Sequence, residues 1–278
     1  MIDINEIEFK KFPGGELHIT NKWQRDWEQE RFNQNRVVCR IQSSDDFMKL
    51  ALFTDAYKRV FKKLPDDLLI PYIPYARQDR VPVWGEALSI KVFSTLLNSL
   101  GYPRITVVDP HSDVSTALIE NVEIIPQWDI WNLILRQEFE KALPFDLISP
   151  DAGALKKIYN LQKGLAVGRC DNIRVGTKHR DVETGQITGT TVDGEAKNPV
   201  GIVVDDICDG GRTFVELGKI LREQYQGLYL VVTHGIFSNG FDELLKYYDG
   251  IYCTNSWCKN IEAPKDVHVT SLEEYIDL

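Results

Sequence analysis

The sequence predicts an α/β protein of two similar domains, each a mainly parallel sheet flanked by helices. Three observations predict it. Short apolar runs rich in β-branched residues alternate with longer segments of helical period, the signature of strand–helix–strand crossovers. The pattern occurs twice: one strand leads into Val107-Val108-Asp109-Pro110-His111 and another into Val203-Val204-Asp205-Asp206. A chain of 278 residues is also long for one ordinary domain and comfortable for two. The boundary is expected near Pro126, giving domains of residues 1–126 and 127–278.

The elements follow in order. Arg36 to Ile41, Leu68 to Ile73, Ile105 to Val108, Phe145 to Ile148, Leu165 to Val167, Val200 to Val204 and Leu228 to Thr233 read as strands. Ser44 is placed to cap a helix carrying Phe47, Leu50, Ala51, Phe53, Tyr57, Val60 and Phe61, mostly at three- and four-residue steps. Glu86 to Leu100 is a second helix, with Gly101 as its stop signal. Asp129 to Ala142 and Arg212 to Tyr225 repeat the pattern. Asp171 to Asn198 breaks it, being polar, with four glycines and the cations Arg174, Lys178, His179 and Arg180. Long polar insertions in compact domains are usually functional or disordered. This one reads either as a solvated hairpin or as a mobile lid whose cations close on phosphates.

Composition narrows the function classes. The chain is 43% hydrophobic and 26% charged, normal for a globular protein with sizeable cores. No apolar run approaches a membrane span, and the mixed, acidic start reads as no secretory signal. A net charge of -9 argues against nucleic-acid or membrane-surface binding, which needs a basic footprint. Five scattered cysteines without a CxxC point to a reducing cytoplasm. Cys253 and Cys258 have no nearby His pair and do not read as a zinc site, and no Walker A pattern occurs.

The segment that carries most chemistry is Gly201 to Phe214. A buried strand runs into paired acids, Asp205 and Asp206, then Asp209, then Gly210 and Gly211, then a helix. Glycines let backbone N–H groups face an anion, and the helix start adds a favourable dipole. Thr213 adds a hydroxyl, while the acids suit sugar hydroxyls or a hydrated Mg²⁺. Together they read as a sugar-phosphate site at the carboxyl end of a strand, where open α/β sheets bind ligands.

This segment resembles the ribose-phosphate motif of type I phosphoribosyltransferases. Pro71-Tyr72-Ile73-Pro74-Tyr75-Ala76-Arg77-Gln78-Asp79-Arg80 narrows the resemblance to the phosphoribosyl pyrophosphate synthetases, or ribose-phosphate diphosphokinases. Gly85 to Lys91, Val107 to His111 and Ser149-Pro150-Asp151-Ala152-Gly153 are similar to further motifs of that family, in its order. The similarity runs from about Phe12 to Phe237. It implies the phosphoribosyltransferase fold and Mg²⁺-dependent transfer of a diphosphoryl group from ATP to an anomeric hydroxyl, with release of AMP.

Roles implied by the resemblance follow position by position. Arg77 and Gln78 contact ATP, Asp79 and Arg80 shape that pocket, and His111 helps hold the metal–ATP site. Asp151 binds a second Mg²⁺ through water. Asp205, Asp206 and Asp209 hold the sugar; Gly210, Gly211, Arg212 and Thr213 cradle the 5′-phosphate. Lys178 and Arg180 match the family's mobile-loop cations, which close over the transferring phosphates. Phe12 and Glu16 match an adenine-contacting segment supplied by a neighbouring subunit, which implies a homo-oligomer.

The chain departs from the pattern in places. The acceptor loop usually reads Asp-Thr-Gly-Gly-Thr but here reads Asp209-Gly210-Gly211-Arg212-Thr213, so a hydroxyl is lost and a guanidinium gained. Gly14 stands where an acid is usual, and Pro110 where a leucine is usual. Nucleotide regulation does not follow from the resemblance, because the insertion differs and the tail is short. Ribose 5-phosphate is the expected acceptor. ADP-ribose, used in rebuilding NAD⁺, is the alternative, motivated by space at Gly210 and a second phosphate for Arg212. A silent regulatory homologue is a third reading, opposed by the survival of His111, Asp151, Lys178, Arg180 and the acid pair.

Overall fold

In the computed structural model, residues 1–20, 36–139, 144–165, 169–180 and 187–276 are described. They divide into two compact units, residues 1–125 and 126–278.

In the first unit, β1 (Ile2–Asp3) precedes a hairpin of β2 (Phe9–Lys11) and β3 (Leu17–Ile19). Then come β4 (Arg36–Val38), α1 (Ser44–Phe61), β5 (Asp67–Ile70), α2 (Ser89–Asn98), β6 (Ile105–Val108), α3 (Asp113–Leu118) and β7 (Val122–Ile125). The sheet order is β1-β4-β5-β6-β7, with every pair parallel. Leu50, Phe53 and Tyr57 turn inward from α1, and Ile90, Phe93 and Leu97 from α2, onto Leu68, Ile70 and Val107 of the sheet.

Two helix starts differ from the sequence expectation. The cap of α1 is Ser43, and Ser44 is its first residue. Ser43 Oγ accepts from the Asp46 amide at 3.3 Å, while Asp46 Oδ2 accepts from the Ser43 amide at 2.9 Å. That reciprocal box needs the acid three residues on, which Ser43 has. α2 begins at Ser89 instead of Glu86. Gly85 holds φ +94° and the Glu86 amide closes a turn on Val83 O, so the chain reverses before it can coil.

The second unit contains α4 (Gln127–Phe139), β8 (Phe145–Ser149), α5 (Leu155–Gly164), β9 (Asn172–Arg180), β10 (Ile187–Asp193) and β11 (Val200–Cys208). It continues with α6 (Arg212–Leu221), β12 (Gly227–Gly235), α7 (Asp242–Leu245), β13 (Gly250–Thr254), β14 (Val267–Thr270) and α8 (Glu273–Ile276). The sheet order is β10-β9-β8-β11-β12-β13-β14. All pairs are parallel except β9 with β10. Its core joins Ile148, Val203, Leu228, Leu230, Val232, Ile251 and Cys253 of the sheet to Phe214, Leu217 and Leu221 of α6.

Further boundaries moved. β11 runs four residues past Val204, to Cys208, because Asp205, Ile207 and Cys208 keep pairing with β12. α6 stops at Leu221 instead of reaching Tyr225. The polar insertion contains the antiparallel pair β9 and β10. Of the strand expected at Leu165 to Val167, Leu165 instead caps α5 and the rest lies outside the described residues.

All five cysteines are free thiols. Cys39, Cys170, Cys208 and Cys253 are buried, and only Cys258 is partly exposed. Burial pushes the Cys170 thiol up to about 11 and the Cys253 thiol to about 12, and raises Cys39 and Cys208 further. No described helix is long and apolar enough to cross a membrane.

Candidate active site

The topology of the second unit says where its ligands go. From β8 the chain crosses to β9 on one side, and from β11 it crosses to β12 on the other. The two strands are neighbours, so their carboxyl ends flank a switch point, the usual ligand crevice of an open α/β sheet. Strand lengths deepen it. β8 has five residues, while β9 and β11 have nine each. β8 pairs with β11 only up to Val203 and with β9 only up to Val175. Residues 204–208 form one wall of a notch, residues 176–180 the other, and the loop after Ser149 its floor. The walls are two strand spacings apart, roughly 10 Å.

On the floor, Asp151 is half-buried and fixed by its own loop. Its Oδ1 accepts from the amides of Gly153 at 3.0 Å and Ala154 at 3.3 Å, and its carbonyl from Ser149 Oγ at 2.7 Å. On the first wall stand Asp205 and Asp206. Asp205 Oδ1 accepts from the Asp206 amide at 2.9 Å. Asp206 is buried, and Lys157 Nζ of α5 lies 3.2 Å from its Oδ2. Burial, then the charge of Asp206, holds the Asp205 carboxyl well above its ordinary value. A cation or sugar hydroxyls at the notch would relieve that conflict.

Beyond the first wall the chain enters the glycine loop. Gly211 takes φ +75° and caps α6, with no side chain closing the helix start. The amides of Arg212 and Thr213 therefore open at the end of a ten-residue helix whose dipole favours an anion. Arg212 is exposed and Thr213 half-buried. The loop after β12 braces this turn: Ser238 Oγ donates to Asp209 Oδ1 at 2.8 Å and Asn239 Nδ2 to Gly210 O at 2.9 Å. A Cβ on Gly210 would stand 3.2 Å from Asn239 Nδ2. The lost side chain at Gly210 thus leaves no void for a larger ligand; the Asn239 amide fills that place.

The opposite wall belongs to the hairpin. Lys178 pairs with Thr190 and Arg180 with Ile187, both beyond the reach of β8. Their backbones rise on the same side of the sheet as Asp151 and the glycine loop; their side chains, and residues 181–186, lie outside the described part. Gly176 is where the hairpin leaves the sheet. A Cβ there would come 2.7 Å from Pro150 O, so only glycine permits the contact.

The first unit carries the other expected residues at strand ends of its own. After β5 the chain turns at Tyr75, with φ +62°, and the Gln78 amide donates to Tyr75 O at 2.9 Å. Buried Ala76 pins the turn, leaving Arg77, Gln78 and Arg80 exposed and Asp79 half-buried. After β6, buried Asp109 adopts φ +39° and exposed His111 follows. Phe12 and Glu16 are exposed at the β2–β3 turn, where the Phe12 amide donates to Glu16 O at 2.8 Å and Lys10 Nζ lies 4.9 Å over the Phe12 ring. Nothing lies within 4 Å of a Cβ on Gly14, so the acid missing there is not excluded by space.

Oxygen donors dominate the notch, and Mg²⁺ prefers them. Among the described residues no three His, Cys, Asp or Glu side chains form a closed metal set. Mg²⁺ ordinarily keeps several waters and takes further oxygens from substrate phosphates, so one or two separate carboxylates suit it. Sequence reasoning missed Lys157, Ser238 and Asn239. The signal for Lys157 was a cation six residues after Asp151, in the first turn of the helix leaving the same loop; nothing local marked the other two.

No family model matches the chain. Among characterised proteins, it is 32% identical over 219 residues to the ribose-phosphate pyrophosphokinase of Mycoplasmopsis pulmonis, covering 77% of this chain and 66% of that one. It is 31% identical over 222 residues to ribose-phosphate pyrophosphokinase 2 of Archaeoglobus fulgidus, covering 79% and 72%. The ribose-phosphate pyrophosphokinase of Pyrococcus abyssi is 27% identical over 285 residues, covering 97% and 88%. Among solved structures, the phosphoribosylpyrophosphate synthetase of Mycobacterium smegmatis superposes with a TM-score of 0.77 at 20% identity, over 96% of this chain and 86% of that one. At that identity the likeness speaks for the fold.

Proposed function

The chain belongs to the ribose-phosphate pyrophosphokinase family of enzymes, and on that premise we propose that it moves the β,γ-diphosphoryl group of ATP onto the anomeric hydroxyl of ribose 5-phosphate. The hydroxyl oxygen attacks the β-phosphorus, the bond from that phosphorus to the α-phosphate oxygen breaks, and AMP departs with the electron pair. The hydroxyl proton is released, and the product is phosphoribosyl pyrophosphate. One observation carries the reading: the notch beyond β8 has an acid pair on one wall, the backbones of two cationic residues on the other, and an open helix start beside it.

Each residue has a task there. Asp205, Asp206 and Asp209 hold the sugar hydroxyls, and Lys157 keeps the buried Asp206 compensated. The amides at Gly210 to Thr213, with the Thr213 hydroxyl, cradle the 5′-phosphate. Lys178 and Arg180 neutralise charge growing on the transferred group, where preorganised electrostatics contribute most. In the first unit, Arg77 and Gln78 contact ATP and Asp79 and Arg80 shape its pocket. Phe12 and Glu16 serve the adenine of a neighbouring subunit in a homo-oligomer. In the first unit His111 would help hold the Mg²⁺–ATP site, and in the second Asp151 would hold a second Mg²⁺ through water; bound there, the metal would neutralise charge on the phosphates. Free thiols at all five cysteines suit a cytoplasmic setting.

The test is an acceptor screen with ATP and Mg²⁺, read by AMP release and product mass. Ribose 5-phosphate is expected to give AMP and a product heavier by one diphosphoryl group; no AMP with any sugar phosphate overturns the proposal. ADP-ribose remains a second reading because the Arg212 guanidinium is exposed at the start of α6, where a second phosphate would lie. In that case Arg212→Ala lowers kcat/KM for ADP-ribose by about 1.5–3 kcal/mol, the range of a charged hydrogen bond, and spares ribose 5-phosphate. Equal losses on both acceptors, or no turnover of ADP-ribose by the wild type, exclude it.

A further inference from the structure

β9 has β8 beside it only from Asn172 to Val175. From Gly176 to Arg180 its only strand partner among the described residues is β10. The direction in which this two-stranded arm points therefore depends on what grips its base. A buried polar network does so. Arg174, 3% exposed, donates through Nη1 to Tyr225 OH at 3.0 Å, through Nη2 to Gly194 O at 2.9 Å and through Nε to Asp193 O at 3.4 Å. One guanidinium thus ties the outgoing strand to the end of the returning one. Tyr225 OH in turn donates to Asp146 Oδ2 at 2.8 Å. Asp146, fully buried at the start of β8, also accepts from the Lys197 amide at 3.0 Å and Asn198 Nδ2 at 2.7 Å.

Position and chemistry set this cluster apart from ordinary core. Charged groups buried in a core rarely beat apolar packing for stability, and fixing one arrangement is their best-attested use. The Tyr225 hydroxyl is the hinge pin, because it donates to the carboxylate and accepts from the guanidinium at once. Its ring lies on Gly201, where a Cβ would stand 2.8 Å from the ring carbons. Immediately beyond the grip, Gly176 runs against the Pro150 carbonyl, next to Asp151. A tilt at the base would be transmitted to that contact and to Lys178, two residues further.

From this geometry we infer that Arg174, Tyr225 and Asp146 are positioning residues: a rooted clamp that aims the β9–β10 arm across the notch for diphosphoryl transfer. The inference rests on the reading of Lys178 given above. Two measurements test it separately from that reading. The first needs no turnover. In Tyr225→Phe, native-state amide exchange across residues 176–180 and 187–193 quickens about 10-fold or more while β12 and β13 keep their protection. The second is a mutant cycle. Tyr225→Phe lowers kcat about 10-fold with KM for ribose 5-phosphate changed less than about 2-fold, and on a Lys178→Ala background it lowers kcat less than about 2-fold.

Arg174→Lys, which keeps the charge but not the fork, should give the same pattern more mildly and serves if Tyr225→Phe does not fold. Unchanged arm exchange overturns the clamp, as do equal kcat losses on both backgrounds, which would mean a merely structural role. If Lys178→Ala alone leaves kcat untouched, the arm has no catalytic task and the inference falls with it. A wild type that releases no AMP sinks the proposed reaction, while the exchange result still decides whether the clamp holds the arm.

Discussion

Asp205 and Asp206 are neighbours in one strand, yet their surroundings treat them differently. Asp206 has Lys157 at 3.2 Å. Burial and the Asp206 charge raise the Asp205 carboxyl well above its ordinary value. The sign of the stability effect follows. The folded chain holds the Asp205 proton to higher pH than the unfolded chain does, so this residue costs stability as pH rises from the ordinary carboxyl range through the raised value. Asp205→Asn should therefore raise the unfolding temperature of the unliganded protein by a few degrees at pH 7 and by much less at pH 4, while abolishing AMP release. Thermal unfolding at both pH values checks it; a lower unfolding temperature at pH 7 would show that the carboxylate supports the fold. Asp206→Asn is a different experiment, because it strands the Lys157 charge and is expected to lower stability.

Elements are set by small local agreements that the sequence shows only in part. The α1 start could be read to within one residue, since Ser43 and Ser44 both suit a cap and only the carboxylate of Asp46 chooses between them. Ser43→Ala should cost about 1 kcal/mol of stability. Denaturant unfolding reads that loss, with kcat expected to stay at the wild-type value. Glycines and acids at the end of β11 were legible because they act through near neighbours in the chain. The length of β11 was not, since the pairing of Asp205 to Cys208 with β12 depends on residues 232–235. The hairpin strands were legible only as a polar break: between Gly176 and Val192 the aliphatic residues Val182, Ile187 and Val192 stand five apart, which gives no period-two signal. Lys157, Ser238, Asn239, Arg174 and Tyr225 reach their partners across the sheet, from positions that no local pattern links.

At the scale of the molecule, the repeated strand–helix pattern made the α/β class legible, and among the described residues each unit has a core cluster of its own. Ile70 and Ile251 belong to different clusters, and substitutions there should add. Ile70→Val and Ile251→Val each remove one methylene from a fully buried side chain, at about 0.5–1.5 kcal/mol apiece. The double variant should lose their sum to within about 0.5 kcal/mol in equilibrium unfolding. A clear excess or shortfall would show the cores to be energetically linked.

The thiols carry a practical consequence. Four of the five are shut away in the cores, and only Cys258 meets solvent. Alkylation needs an accessible thiolate, and burial denies the four both access and ionisation. The folded protein thus has a natural single attachment point. A maleimide dye at neutral pH should add one label per chain, at Cys258, and five after denaturation, so that intact mass becomes a direct count of how many molecules have opened. More than one label on the folded chain would mean that a core breathes widely enough to admit the reagent.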